Sequence, residues 1–191
     1  MTLAEEFGRI KNNHKEAIKI RVAKVCFSGS TGRVFKSETS SGIKEKLRNI
    51  DVDELLKIET EAKFEIWFEK TLEEVVKAVP DKTSKGRKIS EGARKWGYGT
   101  KILNLFVRDI VLHSRYFTDT QSERMQKLLY VPIDGIIINK LCKSGEKLCF
   151  DKIKEIDTRE KFYEIQNRLG QPASEFGVPR VWFDDNWGNR R

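Results

Sequence analysis

Two short segments of this 191-residue chain carry residue types that could do chemistry together: Gly97-Tyr98-Gly99-Thr100-Lys101 and Val131-Pro132-Ile133-Asp134. A glycine at each end of Gly97-Tyr98-Gly99 permits a tight turn at positive φ. Such a turn would present backbone N–H groups at the start of the following helix, where the dipole favours an anion such as a phosphate. An ordinary turn between two helices has the same composition. Lys101 opens a run that is apolar at eight of eleven positions, Ile102 to Leu112. Burial there would cost an ammonium its hydration and favour the neutral amine, a nucleophile able to attack a sugar C1′ and form a Schiff base. A contact with phosphate or water is the simpler use of the same lysine. Asp134 follows a proline and precedes an apolar run, the usual place of a helix N-cap. A carboxylate fixed there could also support positive charge developing on a sugar ring, since glycosidic cleavage passes through an oxocarbenium-like state.

The elements that must position these residues read as helices. Leu3, Phe7, Ile10, Ala17, Val22 and Val25 recur at roughly helical spacing from residue 3 to about 26. Ser28-Gly29-Ser30-Thr31-Gly32 breaks that pattern, and the stretch to Gly42 is expected to be a loop. It lacks the Gly-Lys-Ser/Thr ending of a phosphate loop and is taken as a connector. A helical run is expected over Ile43–Arg48, then Asp51 as an N-cap, then a helix through Phe64, Trp67, Phe68, Leu72 and Val76 that Pro80 ends. A short helix near Ile89 to Trp96 should lead into the glycines, and the helix from Ile102 to Leu112 should be buried on most sides. Glu123–Leu129 makes a further turn or two. Gly135-Ile136-Ile137-Ile138 would score as a strand in isolation. A short helix is expected near Phe150–Ile156, and an amphipathic one over Thr158–Leu169 with Phe162, Ile165 and Leu169 on one side.

Charge points to a partner. From Lys82 to Lys101, seven cations face the single acid Glu91, a net +6 out of +8 for the whole chain. Most of the excess lies just before and within the glycine segment, and a phosphate backbone is its natural complement. Arg87, Lys88, Arg94 and Lys95 are the candidate contacts. No apolar stretch approaches the roughly 18 residues of a membrane span, and acids stand where a signal peptide needs a basic and then an apolar run. Cys26, Cys142 and Cys149 at wide spacing fit a reduced, cytoplasmic protein and cannot supply four ligands to a cluster. No Cys/His grouping suggests zinc, so neither metal nor cofactor is expected.

Together the two segments resemble the helix-hairpin-helix DNA glycosylase superfamily, and within it the 8-oxoguanine DNA glycosylase branch. That branch carries a Gly-Val-Gly-Thr-Lys hairpin followed by a Val-Pro-Val-Asp helix start, matched here at Gly97–Lys101 and Val131–Asp134. The close match covers under a tenth of the chain, with a looser helical context over about residues 43–170. The resemblance implies an all-α, two-lobed fold with a DNA cleft between the lobes, formed by residues 1–191 as one unit with its hairpin and catalytic segment at 89–142. It implies Lys101 as the Schiff-base nucleophile, Asp134 as its electrostatic and proton-transfer partner, and Gly97, Gly99 and Thr100 as phosphate contacts.

The implied activity is excision of a damaged or modified base, with strand nicking by β-elimination as a further step. The base would be oxidised guanine or a bulky modified base, such as a modified cytosine in phage DNA. A monomer acting on double-stranded DNA is expected, and a non-catalytic helix-hairpin-helix DNA-binding protein is the alternative. Trp182, Phe183 and Trp187, with Trp67 or Trp96, are candidates for a flipped-base pocket. The chain departs from the family pattern in three places. Trp96 stands where the family has proline, and Lys101 and Asp134 are 33 positions apart, so that His113–Tyr130 would be an insertion. The chain is also too short for an extra N-terminal β domain.

Overall fold

The computed structural model describes residues 2–27, 34–35, 40–143 and 152–187, with the side chains of Asn186 and Trp187 left aside. Among these residues every regular element is a helix, and a single β-bridge, Lys82 to Lys88, is the only extended pairing. Helix α1 spans Leu3–Cys26 and starts on a capping box: the Thr2 hydroxyl accepts from the Glu5 N–H, and the Glu5 carboxylate accepts from the Thr2 N–H. Only its second half is buried, through Ile18, Val22, Ala23 and Cys26. Helix α2, Ser40–Arg48, packs on α1 and buries Ile43 and Leu47. It begins two residues before Gly42, so the expected loop ends earlier than its composition suggests; Ser28–Gly32 lie outside the described residues.

Asp51 caps a short 3-10 helix, Val52–Lys57, as its position implied. Helix α3, Glu61–Val76, is capped by Thr60 and buries Phe64, Trp67, Phe68, Leu72, Val75 and Val76, an apolar stripe at 3.6-residue spacing. The basic segment then doubles back on itself. Ile89 N–H donates to the Asp81 carbonyl at 2.7 Å and Thr83 N–H to Arg87 O at 2.9 Å, with Gly86 at φ 75° closing the turn. Glycine is needed at that φ because a Cβ would be strained there.

The glycine segment is not a turn. Ala93–Gly99 is a π-helical stretch that runs without interruption into helix α4, Thr100–Leu112. Gly99 has φ −62° and ψ −48°, and the described glycines with positive φ are Gly86 and Gly177 alone. The expected hairpin is therefore overturned, and close packing is the reason for the glycines. A Cβ on Gly92 would collide with the Asp157 carbonyl oxygen, and one on Gly97 with that of Ile153. One on Gly99 would lie 2.8 Å from Val76 Cγ2 and 2.9 Å from the Arg94 carbonyl oxygen. The three glycines let backbone meet backbone on one side and α3 on another. The wider π turn takes up the register between these two contacts.

Helix α5, Asp119–Met125, follows the Thr118–Gln121 capping box, and α6 spans Gly135–Lys143. The isoleucine run is thus helical: Asp134 Oδ1 accepts from the N–H groups of Ile136 (2.8 Å) and Ile137 (3.1 Å), while Ile137, Ile138 and Leu141 turn to the core. Capping and burial override the strand preference of isoleucine. A 3-10 turn, Ile153–Glu155, stands where a short helix was expected, Phe150 lying outside the described residues. Helix α7, Arg159–Glu175, buries Phe162, Ile165 and Leu169 and continues past Pro172. The tail forms α8, Trp182–Trp187, which packs against α6. Buried side chains from Ile18 to Val181 form one hydrophobic cluster.

Alanine at Gly97 and at Gly42 should shift stability in opposite directions. Gly42 lies in α2 with nothing within 4 Å of an added Cβ. Gly42→Ala should add about 0.5–1 kcal/mol from helix propensity alone. Gly97→Ala gains the same propensity but must push back a backbone carbonyl, and a net loss of roughly 1–3 kcal/mol is expected. Urea denaturation of the two variants checks this; a stabilised Gly97→Ala would contradict the close approach.

Candidate active site

Lys101 lies in the first turn of α4 and Asp134 at the N-cap of α6, and the fold brings the two together. Nζ of Lys101 is 3.7 Å from Oδ2 of Asp134, with the side chains 11% and 16% exposed. At that separation the groups attract as charges without a direct hydrogen bond. The other Asp134 oxygen, Oδ1, takes both N-cap hydrogen bonds. The carboxylate is therefore fixed in direction by the helix it caps, with its second oxygen turned toward the amine.

Two supports hold Asp134 in place, and neither was read from the sequence. Gln166, fully buried on α7, clasps Val131: its Nε2 donates to Val131 O and its Oε1 accepts from Val131 N–H, both at 2.9 Å. The preceding residue, Tyr130, is ringed by Phe64, Phe68, Phe162 and Tyr163 at centroid distances of 5.0–5.6 Å. Burial pushes its phenol up to about 12. The Arg180 guanidinium lies 4.5 Å over the Tyr130 ring and donates through Nε to Leu129 O at 3.0 Å. A glutamine with no charge partner and an arginine near the tail give no local cue in sequence, because their partners lie 35 and about 50 residues away.

On α4 the half-buried positions Lys101, Leu105, Arg108 and Leu112 follow one another at helical spacing, while the rest of the helix is buried. Arg108 shares this face with Lys101. It donates to Asp109 Oδ1 from Nε (2.9 Å) and Nη2 (2.6 Å) and pairs through Nη1 with Asp184 of α8. His113, just beyond the helix, stands 3.3 Å from Asp185. One face of α4 is thus linked to α6 through Lys101 and to α8 through Arg108.

The remaining expected site residues divide. Gly97, Gly99 and Thr100 are buried inside the continuous helix, and the Thr100 hydroxyl donates to Trp96 O at 2.6 Å. They offer no exposed group to a phosphate, so that role is corrected. Arg94 and Lys95 turn toward α3, Arg94 Nη2 donating to Val76 O at 3.4 Å and Lys95 pairing with Glu73. Arg87 and Lys88 are exposed on the basic turn together with Lys82 and Lys85. Trp67 and Trp96 belong to the aromatic core, packed on Phe64 and Phe162 respectively. Trp182 is exposed and donates from Nε1 to Gln126 Oε1 at 2.9 Å, Phe183 packs against the core, and the Trp187 side chain lies outside the described residues. Among the described residues no group of three or more His, Cys, Asp or Glu side chains could hold a metal ion, and no helix is long and apolar enough to cross a membrane.

No protein-family model, curated protein or solved structure matches the chain.

Replacing Gln166 by leucine leaves the buried N–H and C=O of Val131 without partners, at a cost of roughly 2–4 kcal/mol. Gln171→Leu, on the exposed side of the same helix, should stay within about 0.5 kcal/mol. Equal effects in a denaturant series would remove the clasp from any account of how Asp134 is held.

Proposed function

We propose that this protein is a DNA glycosylase that excises a damaged or modified base, with Lys101 as nucleophile and Asp134 as its partner. The observation that carries the reading is the Lys101–Asp134 pair itself. Two charged groups, each more than four-fifths buried, stand 3.7 Å apart although they are 33 positions apart in the chain. Burying an ammonium and a carboxylate costs several kcal/mol per ion before their attraction repays it, and apolar side chains in place of such a pair are often no loss to stability. Stability alone gives little reason for such a pair. Chemistry that needs an amine and a fixed carboxylate side by side gives a direct one.

In this reading Asp134 Oδ2 takes a proton from the Lys101 ammonium, and the neutral amine attacks C1′. The glycosidic C–N bond breaks and its electron pair leaves with the base, which is then protonated. Asp134 supplies the proton that the departing base takes up, and the carboxylate so restored stabilises the positive charge gathering on the deoxyribose ring. Loss of the second amine proton with opening of the sugar ring yields the Schiff base. Abstraction of a C2′ proton from it would expel the 3′ phosphate by β-elimination and nick the strand.

The exposed Lys82, Lys85, Arg87 and Lys88 lie on the turn that leads into the lysine-bearing helix, where they suit a phosphate backbone. We take the helices as two lobes with duplex DNA between them and the target base flipped toward Lys101. With the glycines buried, the reading rests on the Lys–Asp pair and the basic turn, not on a phosphate-gripping hairpin. The same burial weakens the competing reading of a non-catalytic hairpin module, which would depend on that grip.

The test is borohydride trapping on a panel of duplexes containing oxidised guanine and 5-substituted cytosines, bulky ones included. A covalent adduct is expected with the wild type and none with Lys101→Gln. Asp134→Asn should slow base release about 10²- to 10³-fold, the cost of losing a placed charge at the transition state. Duplex binding with neither release nor trapping would instead identify a DNA-binding protein.

A second expectation concerns salt. Each exposed cation of the basic turn that touches a phosphate contributes about 0.9 to the slope of log K against log salt concentration. Glutamine at Lys85, Arg87 and Lys88 should flatten that slope in proportion and weaken binding to modified and unmodified duplexes alike. Unchanged slopes would move the DNA-binding face elsewhere.

A further inference from the structure

The glycosylase reading leaves one group on α4 without a use. Asn104 is 2% exposed, and its Nδ2 makes no hydrogen bond. Among the described residues only one other buried side-chain nitrogen or oxygen is in this position, Arg94 Nε. That guanidinium still donates through Nη2 to Val76 O. An amide N–H removed from water with no acceptor costs its full desolvation, and a folded protein rarely keeps such a group without a reason. Leucine has the same branched outline, with two methyl groups in place of the amide oxygen and nitrogen, and would suit a helix rich in Ile, Leu, Phe and Val at its buried positions.

The place of Asn104 suggests the reason. It stands three residues after Lys101 and four before Arg108, positions that neighbour it on the helix surface, and it lies on the buried side of the half-buried strip that these two form with Leu105. The charged neighbour on the far side is already engaged, since the Arg108 guanidinium is paired with Asp109 and Asp184. The Asn104 amide is therefore the uncommitted donor next to the nucleophile, one helical turn away. A substrate held with C1′ at the lysine brings with it the base atoms flanking the glycosidic nitrogen. Those atoms are acceptors: O2 of a pyrimidine, N3 of a purine, or O8 of an oxidised guanine.

Resting on the function proposed above, we infer that Asn104 donates its amide N–H to the acceptor beside the glycosidic nitrogen of the flipped base. The bond serves recognition, because a base without an acceptor there leaves the buried amide unpaired. It also serves departure. When the C–N bond breaks, its electron pair enters the base, and part of that charge reaches the same oxygen or ring nitrogen, where a fixed donor stabilises it.

The test compares Asn104→Leu with the wild type on two substrates and in a thermal melt. One substrate is a duplex with a single abasic site, which has no base to recognise and reports Lys101 alone. The other is whichever base of the oxidised-guanine and 5-substituted-cytosine panel the wild type releases. Expected for the variant are base release slowed roughly 10- to 100-fold, borohydride trapping on the abasic duplex within about twofold of wild type, and a Tm equal to or above that of the wild type. The stability readout separates a ligand-facing amide from a structural one, because a structural amide would lower the Tm on removal. Equal base release by variant and wild type, or a fall in Tm accompanied by loss of both reactions, overturns the assignment to Asn104 and leaves the glycosylase reading standing. A wild type that neither traps on the abasic duplex nor releases any base overturns that reading and this one with it.

Discussion

The position of Lys101 depends on how closely its helix lies on the segment around Ile153 to Asp157. At Gly92 and Gly97 the helix backbone touches carbonyl oxygens of that segment, and at Gly99 it touches Leu72 and Val76 of α3. Any side chain at the first two positions would drive the helix away from its neighbour. Because main chain rests on main chain, the approach leaves no side chain to adjust and fixes the helix in depth. The π turn between the two contacts lets one continuous helix satisfy both. Lys101, one turn beyond, inherits its place from this arrangement.

The carboxylate is anchored from a different direction. Gln166 holds both backbone groups of Val131, the aromatic ring of residues around Tyr130 fills the space beneath, and Arg180 closes it from above. Asp134 follows three residues later, already committed to capping α6. The ammonium and carboxylate thus belong to separately held elements. Along α4, Arg108 and Asp184 tie the tail helix to the face that carries Lys101.

Much of the helical framework was legible in the sequence because its signals are local. The stripe Phe64, Trp67, Phe68, Leu72, Val76 carries its own period, and Asp51 and Asp134 cap helices that begin within three residues of them. Two local signals were outweighed. Glycines at Gly97-Tyr98-Gly99 suggested a turn because glycine permits positive φ, yet they serve here by lacking a Cβ next to Ile153, 56 positions downstream. Ile136-Ile137-Ile138 suggested a strand by intrinsic preference, yet a cap on one side and a core on the other made it helix. The partner that decided the glycines was distant in the chain; for the isoleucines the cap was the neighbouring Asp134 and only the core was distant.

The sequence by itself determined the helical class, the concentration of positive charge ahead of α4, and the pairing of a lysine with a later aspartate as the groups worth watching. The first two follow from period and charge, which are properties of neighbours along the chain; the pairing follows from the resemblance of the Gly97–Lys101 and Val131–Asp134 motifs to those of a known family. Only the tertiary structure decided that Lys101 and Asp134 meet at 3.7 Å, that the glycines are buried contacts with no exposed turn to grip a phosphate, and that Asn104 is left with an unspent donor beside the lysine. The reason is physical. Burial, close approach and unsatisfied hydrogen bonds depend on which distant segments fill the space around a residue, and no local pattern records that.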